Sequence, residues 1–174
     1  MSQGLIPATI LTGFLGSGKT TLLKRVLSEN HGQKIAVIEN EFGEENIDNE
    51  ILVDDAGKEQ ILQLSNGCVC CTIREDLRST LTTLAEKKRK GELDFDRVVI
   101  ETTGLADPGP VAQTFFMDDE IAESYLLDSI LTLVDAKHAE SQLDTRQEAR
   151  RQVGFADQIF ISKSELVAED EVNA

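Results

Sequence analysis

Short, nearly continuous apolar runs alternate along the chain with longer stretches whose apolar residues recur at helical spacing. The first kind reads as buried strands: the β-favouring run ending at Thr12, then Lys34 to Ile38, Arg97 to Glu101, Asp128 to Asp135 and Gln158 to Ser162, with Ile61 to Leu64 as a shorter one. The second kind reads as helices. Leu22 to Leu27 is amphipathic and ends before Asn30-His31-Gly32, and Ile73, Leu77, Leu81 and Leu84 share one face of a helix expected from Thr72 to Arg89. Lys87 to Lys90 suit that helix's C-terminus, and Gly91 breaks it. Pro108 and Pro110 open a helix over Val111 to Phe116, and the polar run from Ala136 to Val153 reads as a surface helix. Strands alternating with helices predict an α/β fold, a mostly parallel sheet covered on both faces, with any site at the carboxyl ends of the strands.

Three stretches fall outside this alternation. Glu39 to Glu45 is acidic and loop-like, Asp48 to Gln60 reads as a mobile insertion, and Asn66-Gly67 is a turn signal ahead of Cys68-Val69-Cys70-Cys71. The run from Val167 to Val172 reads as the beginning of another helix, so the expectation is one domain over residues 1–174, truncated at its C-terminus.

Composition narrows the classes of function. With 174 residues the chain can bury one full core, and 40% hydrophobic with 28% charged residues is ordinary for a globular protein. Aromatics make up 5% with no Trp, and the net charge is −15, so neither base stacking nor phosphate-backbone attraction favours nucleic acid as a partner. No apolar stretch approaches the ~20 residues of a membrane span, and the N-terminus lacks the regions of a signal peptide. Three cysteines within four residues are no disulfide framework, and they point to a reducing compartment. The expected location is the cytoplasm.

The chemistry begins at Gly13-Phe14-Leu15-Gly16-Ser17-Gly18-Lys19-Thr20, which has the P-loop pattern G-x-x-x-x-G-K-[ST] between a strand and a helix. Its glycines let consecutive backbone N–H groups turn toward phosphate oxygens, and the helix N-terminus adds partial positive charge. Gly13, Gly16, Ser17, Gly18, Lys19, Thr20 and Thr21 are the expected nucleotide-binding residues. Lys19 can reach the β- and γ-phosphates, and Thr20 can ligate Mg²⁺. Glu101 ends a β-branched strand in the Walker-B manner, where a carboxylate holds Mg²⁺ directly or through water, and the Gly104 N–H three residues on can sense the γ-phosphate. Lys19, Thr20, Glu101 and Gly104 are therefore the expected catalytic set. No Arg or Gln stands out as the group that positions an attacking water.

A second site is expected at the cysteines. Soft thiolates favour Zn²⁺, Cu(I) or similar ions, and a tetrahedral site needs more than three ligands, so Glu39 and Glu44 are the nearest supplement. In an extended backbone Cys68 and Cys70 project to one side and Cys71 to the other. Redox sensing by exposed vicinal thiols is the competing reading. His31 and His138 read as surface residues. Base recognition belongs at the end of the last strand, where Ser162-Lys163-Ser164-Glu165 is a variant of the guanine-reading N-K-x-D motif.

Together Gly13 to Thr20, Glu39 to Glu44, Gly67-Cys68-Val69-Cys70-Cys71, Glu101-Thr102-Thr103-Gly104, Ala106-Asp107-Pro108 and Val134-Asp135-Ala136 resemble the CobW/YjiA-type P-loop GTPases. The resemblance implies a P-loop NTPase fold, GTP and GDP as ligands with Mg²⁺, and hydrolysis linked to a transition metal such as zinc or cobalt in a metallochaperone or insertase. It implies a metal site of Cys70 with Glu39 and Glu44, extended by Cys68 and Cys71, a metal-requiring client protein, and a C-terminal domain not contained in this sequence. Self-association is left open. Ser162 and Glu165 stand where the motif has Asn and Asp. Two rival readings remain: a small-molecule P-loop kinase using Arg146, Arg150 and Arg151 as a lid, and a non-catalytic metal buffer or redox sensor.

Overall fold

The computed structural model describes residues 4–29, 32–40, 61–63, 69–73 and 77–168, with 40, 61–63 and 69–73 described through the backbone. Among the described residues there are seven strands: β1 (Ile6–Gly13), β2 (Ile35–Asn40), β3 (Ile61–Gln63), β4 (Val69–Ile73), β5 (Arg97–Glu101), β6 (Tyr125–Asp135) and β7 (Gln158–Ser162). They join in one sheet of order β3-β4-β2-β5-β1-β6-β7, parallel throughout except for the antiparallel pair β3-β4. The helices are α1 (Lys19–Ser28), α2 (Leu77–Arg89), α3 (Pro108–Met117), α4 (Asp119–Ala122), α5 (Ala139–Thr145) and α6 (Gln147–Gly154), and a 3₁₀ turn spans Ser164–Leu166. The α/β architecture with a mainly parallel sheet is as the hydrophobic pattern predicts.

Alternation along the strands divides the core in two. Ile6, Ala8 and Ile10 of β1 join Ala36, Ile38, Val98 and Ile100 under Leu81, Leu84 and Ala85 of α2, Phe115 of α3 and Ile121 of α4. Leu11, Ile35, Val37 and Leu133 face the other way and are covered by Leu23 of α1 with Leu22, Val26 and Leu27. The sheet is thus buried on both faces, which is why its strands are apolar almost without interruption. Asp107 starts α3 by accepting the Gly109 N–H at 2.9 Å, with Pro108 at the first helical position.

The structure corrects three boundaries. Thr72 and Ile73 belong to a strand rather than a helix, and Cys70 and Cys71 lie with them in β4. The strand expected from Asp128 begins at Tyr125. Ala8 pairs with Leu127 and Thr9 with Ser129, so Asp128 is a bulge that swaps the faces of β6; its carboxylate accepts Thr9 Oγ1 at 2.8 Å and Arg97 Nη2 at 3.1 Å. The single surface helix expected over 136–153 is two helices, broken where Arg146 turns extended (φ −116°, ψ 116°). The insertion at 48–60 and the helix expected over 167–172 lie outside the described residues, save Val167 and Ala168.

Candidate functional site

β1 delivers the glycine-rich loop to the N-terminus of α1, and the backbone there requires glycine. Gly16 and Gly18 have φ of 75° and 98°, and a Cβ on Gly13 would stand 2.5 Å from the Leu133 carbonyl oxygen. The loop closes with the Ser17 N–H donating to Phe14 O at 3.1 Å. Lys19 is buried at 8% exposure, its ammonium donating to the Gly13 carbonyl at 2.7 Å and the Phe14 carbonyl at 3.3 Å. Burial pushes its pKa down, and the charge of Glu101 opposes this. The same burial raises the Glu101 pKa against the pull of Lys19 and the hydrogen bond from Thr20 Oγ1, 3.4 Å away. Two opposite charges therefore share one poorly solvated place, with the Thr20 hydroxyl beside the carboxylate. Ser17 Oγ is buried in the loop without a hydrogen-bond partner among the described residues.

This set fits the groups the P-loop reading calls for. Lys19 and the loop amides can take the phosphates, and the Thr20 hydroxyl with the Glu101 carboxylate forms an all-oxygen pair suited to a hard cation such as Mg²⁺. Gly13, Gly16, Ser17, Gly18 and Thr21 occupy the loop and the first turn of α1 as expected.

Gly104 lies directly against the loop. A Cβ there would come within 2.6 Å of Leu15 Cδ2 and 2.7 Å of Leu15 N, so only glycine admits this approach. Thr102 Oγ1 donates to Thr12 Oγ1 at 2.9 Å, and the Thr102 N–H to Leu11 O at 3.0 Å, fixing the start of the segment to β1.

The end of β7 closes the loop from the other side. Ser162 Oγ donates to Ser17 O at 2.6 Å, and Lys163 Nζ to Gly16 O at 2.7 Å and Asp135 Oδ2 at 2.7 Å. Lys163 holds a left-handed backbone (φ 57°) to do so. Glu165 sits exposed in the 3₁₀ turn beyond. Asp135 is almost fully buried, which pushes its pKa up, but hydrogen bonds from Lys163, His138 and the Lys137 N–H outweigh this and hold it below the ordinary carboxylate value. His138, expected on the surface, has its ring nitrogen Nδ1 3.0 Å from that carboxylate.

For the metal candidates, Glu39 stands one residue before the end of β2 at 8% exposure, in register with Glu101 on one side and Thr72 on the other. Cys70 pairs with Val37 and Cys71 with Ile38, so β4, β2 and β5 carry the cysteines, Glu39 and Glu101 on three neighbouring strands. Cys68, Glu44 and His31 lie outside the described residues.

Periodicity missed Gln152. It is 1% exposed on α6, and its amide Nε2 donates to Gly104 O at 3.1 Å and Ala106 O at 3.0 Å. Two of the three arginines that a kinase lid would need are engaged elsewhere: Arg150 on the Leu143 and Asp144 carbonyls, and Arg151 on Asp107 at 3.0 Å.

Comparison with known proteins identifies the family and the fold. Residues 7–174 match the family model described as CobW/HypB/UreG, nucleotide-binding domain. The chain is 50% identical over 166 residues to the zinc chaperone YjiA of Escherichia coli, covering 95% of this chain and 52% of that protein. It is 39% identical over 170 residues to the zinc-regulated GTPase metalloprotein activator 1 of Schizosaccharomyces pombe, covering 95% and 40%. The chain spans about half the length of the curated relatives it matches. The crystal structure of Zn(II)-bound YjiA GTPase from E. coli superposes with a TM-score of 0.82 at 49% identity, over 97% of this chain and 52% of that one. The hydrogenase maturation factor HypB from Archaeoglobus fulgidus shares the fold at 17% identity and a TM-score of 0.52. The chain belongs to the CobW/HypB/UreG family, through its nucleotide-binding domain.

Proposed function

We propose that this chain is the GTPase domain of a metal-linked GTPase, which hydrolyses GTP to GDP and phosphate and couples that step to binding and transfer of a transition metal, zinc foremost. The observation that supports the reading is the adjacency of β4, β2 and β5: Cys70 and Cys71 are level with Val37 and Ile38, one to two residues before Glu39, and Glu39 is in register with Glu101. Relatives named as a zinc chaperone and a zinc-regulated GTPase support zinc over cobalt. Support for guanine comes from Lys163, which stands beside the P-loop with its ammonium on Gly16 O, and from Glu165 two residues on.

In this reading Lys19 leaves the Gly13 and Phe14 carbonyls for the β- and γ-phosphates, where full negative charge replaces two dipoles. Thr20 and Glu101 hold Mg²⁺, which supplies neutralisation of the phosphate charge when bound. Gly104 presents its backbone to the γ-phosphate, and water attacks in line. Glu39, Cys70, Glu44, Cys68 and Cys71 hold the transported ion, and a metal-requiring client protein receives it. No helix among the described residues is long and apolar enough to cross a membrane, in keeping with work in the cytoplasm.

Phosphate release from GTP and from ATP, with and without Zn²⁺, tests the proposal. The expected result is GTP turnover at least tenfold above ATP turnover, abolished in Lys19→Ala. Turnover that Lys19→Ala leaves unchanged would favour the metal buffer instead.

A further inference from the structure

The segment from Thr102 to Asp107 is held from two sides, and only one of them is the P-loop. On the far side stands α6. Gln152 is fully enclosed there, its own carbonyl accepting Thr132 Oγ1 at 2.9 Å, so the residue is anchored to β6 before its side chain reaches out. Both hydrogens of its amide nitrogen are spent on the segment, on Gly104 O and Ala106 O. The opposite orientation of the amide would set its oxygen against two carbonyls. Arg151, the neighbour on α6, adds a third tie to Asp107, and the Phe155 ring stands 3.0 Å from where a Cβ on Gly109 would be.

The remaining amide oxygen, Oε1, is buried without a partner among the described residues. Gln152 also lines a cavity of about 10 Å³ with Gln142, Thr132 and Phe14, the room of one water. A buried glutamine that costs an unpaired oxygen or an ordered water is kept in place of an apolar residue only where its donors matter. What they fix is the peptide backbone at Gly104, pressed on Leu15 with no room for a Cβ.

We propose that Gln152 is a positioning residue for recognition of the γ-phosphate: from α6 it holds the Gly104 to Ala106 backbone in a preset place against the P-loop. This rests on the GTPase reading above. In that reading only the γ-phosphate meets the Gly104 backbone, so loosening the segment penalises the triphosphate alone, which must then order the loop as it binds. A purely structural role for Gln152 would weaken both nucleotides together.

The test is the affinity of the whole chain for GDP and for a non-hydrolysable GTP analogue, in wild type and in Gln152→Met, which keeps the volume and removes both donors. Affinity for the analogue should fall roughly tenfold, about two net hydrogen bonds diluted by relaxation, while GDP affinity stays within about twofold. Equal loss for both nucleotides, or no loss for either, overturns the proposal. Wild type that binds neither nucleotide overturns the GTPase reading as well, whereas a selective loss confined to GDP overturns only the role of Gln152. Should circular dichroism show Gln152→Met unfolded, Arg151→Ala removes the third tie at an exposed pair. It should shift the ratio about threefold in the same sense, and an unchanged ratio overturns the proposal.

Discussion

Asp135 shows how single side chains prepare this site. Its carboxylate lies at the end of β6, 3% exposed, and collects Lys163 and His138 at one oxygen while Oδ1 accepts the Lys137 N–H. Through Lys163 it fixes a cation on the P-loop carbonyl of Gly16. Its folded pKa lies below that of the unfolded chain, so its stabilisation is complete above the unfolded value and is lost as pH falls through the folded one. Asp135→Asn should therefore cost about 1–3 kcal/mol in urea unfolding at pH 7. The difference from wild type should shrink as pH drops below about 4. A difference constant from pH 7 to pH 3 would contradict this. The P-loop residues were legible in the sequence because three glycines, a lysine and a threonine at fixed spacing have few other uses. Gln152 was not, since periodicity reads a polar residue in a polar run as solvated, and only the fold buries it.

At the scale of elements, the two faces of the sheet carry different duties. α1 covers one face and begins at the phosphate loop, while α2, α3 and α4 build the larger core on the other. Leu84 of α2 is completely buried in that core, far in the fold from the loop's hydrogen bonds. Leu84→Ala should lower the unfolding free energy by about 2–5 kcal/mol and leave GDP affinity unchanged where the protein is folded. Loss of nucleotide affinity in step with stability would show that α2 does more than support. The strand-helix alternation was readable because buried parallel strands are apolar throughout. β4 escaped it because the turn signal at Asn66-Gly67 and the helical spacing from Ile73 both competed with a five-residue strand of two cysteines, a valine, a threonine and an isoleucine. The bulge at Asp128 left no trace in the pattern either, as one inserted residue alters which face is which without changing which residues are apolar.

For the whole molecule, the net charge of −15 sets the long-range field against an anionic ligand. In the proposed reading, binding comes from short-range groups: the loop amides, Lys19 and a cation that Thr20 and Glu101 would hold. Screening should then speed encounter: the association rate of a fluorescent GTP analogue should rise as salt is raised to about 0.15 M. A steep fall over that range would place a positive field at the mouth of the site. The metal reading binds the molecule together, since Glu39 on β2 stands between the cysteine strand and the strand of Glu101. If nucleotide and metal bias the same segments, each must change the other's affinity by one common factor.

That factor is the most direct test. Zn²⁺ affinity should be measured on the chain loaded with Mg²⁺ and either GDP or a non-hydrolysable GTP analogue, by competition with a chelating indicator. The account predicts affinities that differ by about 5-fold or more between the two states, lost in the Cys70→Ala variant. Equal Zn²⁺ affinity in both nucleotide states would contradict it.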